Sequence, residues 1–411
     1  MPGGRLYETL TATGAVQAIR QARAKGLRMD ALWVDAGWYQ RKDQRTPDGK
    51  PVSWYSGTGT WVPDPARFPQ GFRPVADELA KDGAMLILWH EPERIQKYNA
   101  FYPSAKPFLA PLDSPGTMRY DLSRPETVDF LADVIGGSVV SNGVKFFRQD
   151  MNGPAPLTFW RAIDAARADG RTGLAENLSV QGEFRLWEEL RRRQPGLLFD
   201  TCAGGGRRND LSTLRFPSVP LHYTDTGYTN YVEKLRYNHM LNEWLFYHKN
   251  ISWFFHDSKT RRINRRKAVI DLAQMHTVRS DHYLRPEPWH VQEEDQLIGV
   301  WRRTASLLTD GDYYLLTPAT FGDDKWWVTQ FHDPRTGSGF LQVVAPVHSS
   351  QGKCTVMLKG VSAGLPVKFT DLFSNTTFGG VSGTPLHLEE PQQDATVIAY
   401  EICPKRTDTC R

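Results

Sequence analysis

Four carboxylates in this sequence, Asp35, Glu91, Asp150 and Asp225, each stand at or just past the end of a short apolar run. The runs are Ala31 to Val34, Ala84 to Trp89, Lys145 to Phe147 (which breaks into Arg148-Gln149-Asp150) and Pro220 to Tyr223. A single Asp after a strand most often caps the next helix. Recurrence at four predicted strand ends points instead to one shared site, in which two of the carboxylates could form an acid/base pair. Glycosidic-bond cleavage needs such a pair, with the two groups about 5 to 5.5 Å apart when one is the nucleophile. The neighbouring residue types suit a sugar. Trp38 and Trp89 present apolar faces, Arg148 and Arg207 charged donors and Asn152 an amide, while Gly204-Gly205-Gly206 lets backbone approach a ligand closely. Metal-assisted hydrolysis is the competing chemistry, and the 11 His residues do not support it. No His-x-His follows a first strand and no His-Glu-x-x-His occurs, so neither a metal nor another cofactor is expected.

Residues at strand ends meet a substrate when the strands form a (β/α)8 barrel, whose chemistry sits at the C-terminal rim. The sequence has that texture. Helices are predicted over about Ala12–Lys25, Arg73–Lys81, Pro125–Val134 and Glu183–Arg193, between the apolar runs above and Leu197 to Cys202. Leu6–Leu10 is a candidate first strand, Ile251–Phe255 a later one, and the eighth is expected between Ala268 and Leu284. Gln40–Gln70, rich in Gly, Pro, Asp and Trp, is too long for an ordinary connection and reads as a loop over the mouth, with Trp54 and Trp61 toward ligand. From about Asp324 short alternating runs replace the strand-helix rhythm. The expected architecture is therefore an α/β chain: a (β/α)8 TIM barrel over 1–323, then an antiparallel β-sandwich over 324–411 that supplies no catalytic group.

The 411 residues exceed what one core usually fills, which agrees with two domains. A net charge of +4, scattered except for Arg261 to Lys267, gives no basic face for nucleic acid. No run is apolar for long enough to cross a bilayer, so a soluble protein is expected, and the N-terminal residues carry no apolar signal core. The four Cys lack metal-ligand spacing; a Cys403–Cys410 link is sterically feasible. The 13 Trp, several of them beside carboxylates, again suit sugar faces.

Five motifs in order, Trp33-Val34-Asp35-Ala36-Gly37-Trp38, Gly59-Thr60-Trp61 to Phe68-Pro69-Gln70-Gly71, Leu88 to Arg94, Arg148 to Asn152 and Cys202 to Arg207, resemble glycoside hydrolase family 36, the α-galactosidase and melibiase family. The resemblance runs from about residue 5 to 230 and more loosely beyond. It implies a retaining α-glycosidase acting on terminal α-galactosides or α-N-acetylgalactosaminides of an oligosaccharide or glycoconjugate. Asp150 would be the nucleophile and Asp225 the acid/base, while Asp35, Trp89, Arg148, Asn152, Cys202 and Arg207 would line the terminal-sugar subsite. Trp38, Glu91 and Gly205 complete the expected sugar contacts. The sequence departs from the family pattern in having Arg148 for Lys, Ala36 for a second Asp, and His222-Tyr223-Thr224 before Asp225. Arg places a planar fork where Lys places a point charge. Its removal is expected to weaken sugar binding and spare folding. The family's N-terminal β-sandwich has no counterpart in these residues, which suggests a partial chain. A barrel that binds sugar without cleaving it, and transfer to a sugar acceptor as in raffinose-synthase-like relatives, remain alternatives, and oligomeric state stays open.

Overall fold

A computed structural model of the protein describes residues 9–26, 28–41, 45, 48–50, 52–167, 169–203, 210–214, 216, 251–253, 263–273, 275–277, 288–318, 323–347 and 352–403. The chain divides into two compact units, 1–220 and 221–411. In the first, the elements are α1 (Ala12–Ala24), β1 (Ala31–Val34), β2 (Pro69–Phe72), α2 (Arg73–Ala80), β3 (Met85–His90), β4 (Arg94–Gln96), α3 (Tyr102–Ala105), β5 (Thr117–Arg119), α4 (Pro125–Ser141), β6 (Phe146–Gln149), α5 (Leu157–Arg167), α6 (Leu174–Arg193), β7 (Leu198–Thr201) and α7 (Leu211–Leu214). Strands β1, β3, β6 and β7 form one parallel sheet in that order, with helices on the crossovers. Leu88, Phe147 and Phe199 lie side by side in it and are almost wholly buried, as a sheet covered by helices requires.

The helices start where their chemistry allows. Thr11 accepts the Gly14 N–H at the head of α1, and Pro125 occupies the first turn of α4, where no amide hydrogen is needed. Both α4 and α6 outrun the sequence-based spans. Gly136-Gly137 reads as a stop, yet Gly136 is buried within α4, where a Cβ would stand 2.7 Å from Arg193 Cδ. The first half of α6 buries Ala175, Ser179, Gly182 and Glu183, whose small or polar side chains conceal the apolar period. At Gly182 the helix lies against the Leu122 carbonyl, and a Cβ would fall 1.9 Å from that oxygen. Backbone cannot step aside as a side chain can. Gly182→Ala is therefore expected to destabilise by about 1 to 3 kcal/mol, despite the gain of about 1 kcal/mol in helix propensity. Urea unfolding measures it, and a stabilised variant would show that α6 shifts freely.

The second unit holds β8 (Ile251–Trp253), α8 (Arg265–Ile270), β9 (Met275–Thr277), α9 (Pro288–Asp310) and the strands β10 (Asp312–Leu315), β11 (Trp327–Asp333), β12 (Ser338–Val344), β13 (Lys353–Val356), β14 (Pro366–Asp371), β15 (Thr377–Val381), β16 (Leu386–Glu389) and β17 (Ala395–Ile402). β8 and β9 pair in parallel, one at each place where the sequence predicts a late strand. β10, β11, β12, β17, β14 and β15 form a six-stranded antiparallel sheet in that order. Val356 and Leu388 from the β13–β16 pair pack on one face with Val328, Leu341 and Ile398. Leu297, Val300 and Leu308 of α9 pack on the other with Trp327, Phe331 and Phe340. The antiparallel strands match the expected C-terminal sandwich, with β10, β15 and β16 added to those predicted. Cys403 is disulfide-bonded, while Cys202 and Cys354 form no disulfide. Leu6–Leu10 falls largely outside the described residues. Among the described residues, no helix is long and apolar enough to cross a membrane.

Candidate active site

Register gathers the site. Trp89 pairs with Arg148, Arg148 with Asp200, and Gln149 with both His90 and Thr201, so the residues just past β3, β6 and β7 (Glu91, Asp150 and Cys202) share one edge of the sheet. Val34 pairs with Leu88, which places Asp35 one step along, level with Trp89. Alternation along each strand then sorts the side chains. Gln149 turns to α6, donating to Glu183 at 2.6 Å and accepting from Trp187 at 2.6 Å. Arg148 and Asp150 turn the other way.

The Asp150 carboxylate receives N–H donors on both oxygens. Trp89 Nε1 donates to Oδ2 at 3.1 Å and Asn152 Nδ2 at 2.8 Å, while the Met151 amide donates to Oδ1 at 2.7 Å. Such bonds favour the ionised form, and they fix the plane of the group. Trp89 is itself clamped, stacked on Tyr39 and edge-on to Trp54. Trp38 lies beneath, 1% exposed, donating from Nε1 to the Trp89 carbonyl at 2.9 Å. In this structure it braces Trp89. His90 is fully buried against Phe147, and burial drives its imidazole down to about 3, so it is neutral.

Arg148 is committed to protein. One guanidinium nitrogen donates to Asp200 Oδ2 at 2.5 Å, and the group lies 4.4 Å above the Trp33 ring. Burial pushes the Asp200 carboxyl upward, opposed by Arg148 and reinforced by the charges of Asp150 and Asp35. Among the described residues, three carboxyl groups thus lie around one cation. Glu91, 0% exposed, pairs with Arg94 and accepts the Asn152 backbone N–H; burial raises its carboxyl too, against the pull of Arg94. Arg94 also donates to the Tyr55 carbonyl at 3.0 Å and to Thr58 Oγ1 at 3.1 Å, and Asn99 Nδ2 holds the Gly57 and Thr58 carbonyls. The segment over 52–61 is therefore tied down. Trp61 is buried within it, against Trp38 and His90, whereas Trp54 is half-buried.

The melibiase family model matches residues 11–239, which is more than half of the chain. This chain belongs to the melibiase family. It is 27% identical over 228 residues to the probable α-galactosidase G of Aspergillus terreus, covering 52% of this chain and 29% of that protein. It is 22% identical over 380 residues to α-galactosidase Mel36A of Lactobacillus acidophilus, covering 87% and 47%. The fold matches the family 36 α-galactosidase AgaA of Geobacillus stearothermophilus, solved with raffinose, at a TM-score of 0.72 and 15% identity over 96% of this chain and 54% of that one. The chain thus spans about half or less of the length of each of these three proteins. The resemblance drawn from the five motifs is correct, and the α/β fold is that of family 36 galactosidase domains.

Against that melibiase frame, Asp150, Trp89, Asn152, Arg148 and Glu91 are joined by bonds or strand pairing, and Asp35 and Cys202 follow neighbouring strands. Gly205, Arg207 and Asp225 lie outside the described residues. Among the described residues, no group of three His, Cys, Asp or Glu could hold a metal ion. Three partners escaped the sequence reading: Asp200, Arg94 and Trp33. Asp200 stands two residues before Cys202 as Arg148 stands two before Asp150, so strand alternation alone could have nominated it.

Proposed function

We propose that this melibiase-family chain belongs to a retaining α-galactosidase, with residues 1–323 as a (β/α)8 barrel and 324–411 as its C-terminal sandwich. Asp150 attacks the anomeric carbon of a terminal α-galactosyl unit to give a covalent β-galactosyl ester. Asp225 protonates the departing glycosidic oxygen, and then takes a proton from the water that hydrolyses the ester. Support for Asp150 comes from one observation above all: a carboxylate at a strand end with N–H donors on both oxygens, held rigid by Trp89 and Asn152. Asp35, Asp150 and Asp200 around Arg148 leave excess negative charge, which suits the positive charge that grows in an oxocarbenium-like transition state. Raffinose bound to AgaA makes α-galactosyl oligosaccharides the first substrates to test. Asp35, Trp89, Asn152, Cys202, Gly205 and Arg207 are the proposed sugar contacts.

Aryl α-glycosides assayed with and without chelator test this reading. Turnover of the α-galactoside is expected, unchanged by chelator, because the proposed chemistry needs two carboxylates and no Lewis acid. Loss in chelator with recovery on adding zinc would replace the double-displacement route with a metal-assisted one. Comparing the α-N-acetylgalactosaminide fixes which 2-substituent is accepted.

A further inference from the structure

The motif Glu91-Pro92-Glu93-Arg94 contributes two buried ion pairs, and both touch the segment that follows Asp150. Glu91 pairs with Arg94 and accepts the Asn152 amide hydrogen. Glu93 pairs with Arg119 at 2.5 Å, and Arg119 also donates to the Pro154 carbonyl at 3.1 Å. Between these anchors sits Gly153, where a Cβ would lie 2.8 Å from Arg94 Cδ and 2.6 Å from Met151 Cε. We propose that the Glu91–Arg94 and Glu93–Arg119 pairs clamp residues 150–154, and that Glu91 is a positioning residue acting through Asn152 on the Asp150 carboxylate. The proposal rests on Asp150 being the nucleophile.

Three observations carry it. Glu91 and Arg94 have no exposed surface, and the Glu91 carboxylate is engaged by the Arg94 charge and the Asn152 amide, which leaves Glu91 no face for sugar. The path from Glu91 to the nucleophile is two bonds through one residue: Asn152 gives its backbone N–H to Glu91 and its side-chain amide to Asp150 Oδ2 at 2.8 Å. Buried ion pairs are poor stability devices, since apolar residues of similar volume often serve as well. Two of them on five consecutive residues are better explained by what they hold, the geometry of an attacking oxygen. Arg94 extends the clamp to the segment over 52–61 through Tyr55 and Thr58, with its guanidinium 4.1 Å over the Tyr55 ring.

A 2-deoxy-2,2-difluoro α-galactoside with a good aryl leaving group, which esterifies the attacking carboxylate, separates orientation from binding. Labelling of the whole chain is followed by mass spectrometry at several reagent concentrations, giving a limiting rate and a dissociation constant. Glu91→Ala should cut the limiting rate about 100-fold, the scale of a 1 Å misplacement, and leave the dissociation constant nearly unchanged. Glu91→Gln keeps one acceptor oxygen and should fall between Ala and wild type. If Glu91→Ala does not fold, as thermal melting will tell, Gly153→Ala displaces Arg94 and should reproduce the loss. Wild-type labelling at Asp150 with undiminished rates in the variants overturns the clamp alone. A weakened dissociation constant at an unchanged rate overturns it in favour of a sugar contact. Wild-type labelling at another residue removes the nucleophile assignment, and the clamp falls with it.

Discussion

Asp200→Ala should cost about 3 to 5 kcal/mol of folding stability, because it removes the ion-pair partner that the Arg148 guanidinium meets in register, in a site with almost no solvent. Arg148→Ala should cost a similar amount, leaving Asp200 buried and uncompensated. Arg148 is 2% exposed and Asp200 0%, in register on adjacent strands, so neither can turn to water without breaking the sheet. The sequence-based expectation that Arg148→Ala spares folding is revised by this pair. Replacing both partners together, as Arg148→Met with Asp200→Leu, removes two desolvation penalties at once and should cost far less than the sum of the single losses. Urea unfolding of wild type, Arg148→Met, Asp200→Leu and the double variant gives the coupling. Additive losses would mean that each side chain has other partners that matter more. Activity should not return in the double variant, since the field shared by Asp35, Asp150 and Asp200 around Arg148 would be gone. Stability and catalysis then come apart at one pair.

What the sequence made legible here follows strand chemistry. A buried parallel strand must be apolar until it ends, so a carboxylate at its end is conspicuous, and Asp35, Glu91 and Asp150 all follow the parallel strands. Asp200 was hidden because it interrupts an apolar run from within β7, where a charge has no reading until its cross-strand partner is known. The Glu91–Arg94 pair was hidden differently. An i, i+3 pair reads as surface helix chemistry, and only the fold buries it where β3 gives way to β4. Trp38 and Trp61 carried no mark separating a sugar-facing ring from a buried one, and both are 1–2% exposed in the aromatic cluster under Trp89. Helix lengths failed where packing is close: the buried faces of α4 and α6 use Gly136 and Gly182, which local propensity counts as breakers.

The largest effect is expected at Asp150 itself, and leaving-group chemistry distinguishes it from Asp225. Asp150→Ala removes the attacking oxygen and, with no added nucleophile, should abolish turnover of every α-galactoside, whatever its aglycone. Asp225, assigned by the family resemblance, would protonate the leaving oxygen, help typically worth about 10²- to 10⁴-fold and little needed by an aryl group that departs readily. Asp225→Ala should therefore slow raffinose-like substrates by about that factor while glycosylation by an activated aryl α-galactoside proceeds. Release from the ester would then limit turnover, since no base activates water, and azide, which needs no base, should restore it and leave as an α-galactosyl azide. Azide attacks the anomeric carbon of the β-linked ester from the α face and expels the Asp150 carboxylate, so the product's anomeric form depends on which carboxylate is missing: α from Asp225→Ala through the ester, β from Asp150→Ala if azide displaces the aglycone directly. Proton NMR of the azide product reads the difference. Equal damage to every substrate by Asp225→Ala, with no response to azide, would send the acid/base role elsewhere. Glu91 is the next carboxylate at a strand end to test, although it has no exposed surface and is paired with Arg94 and the Asn152 amide.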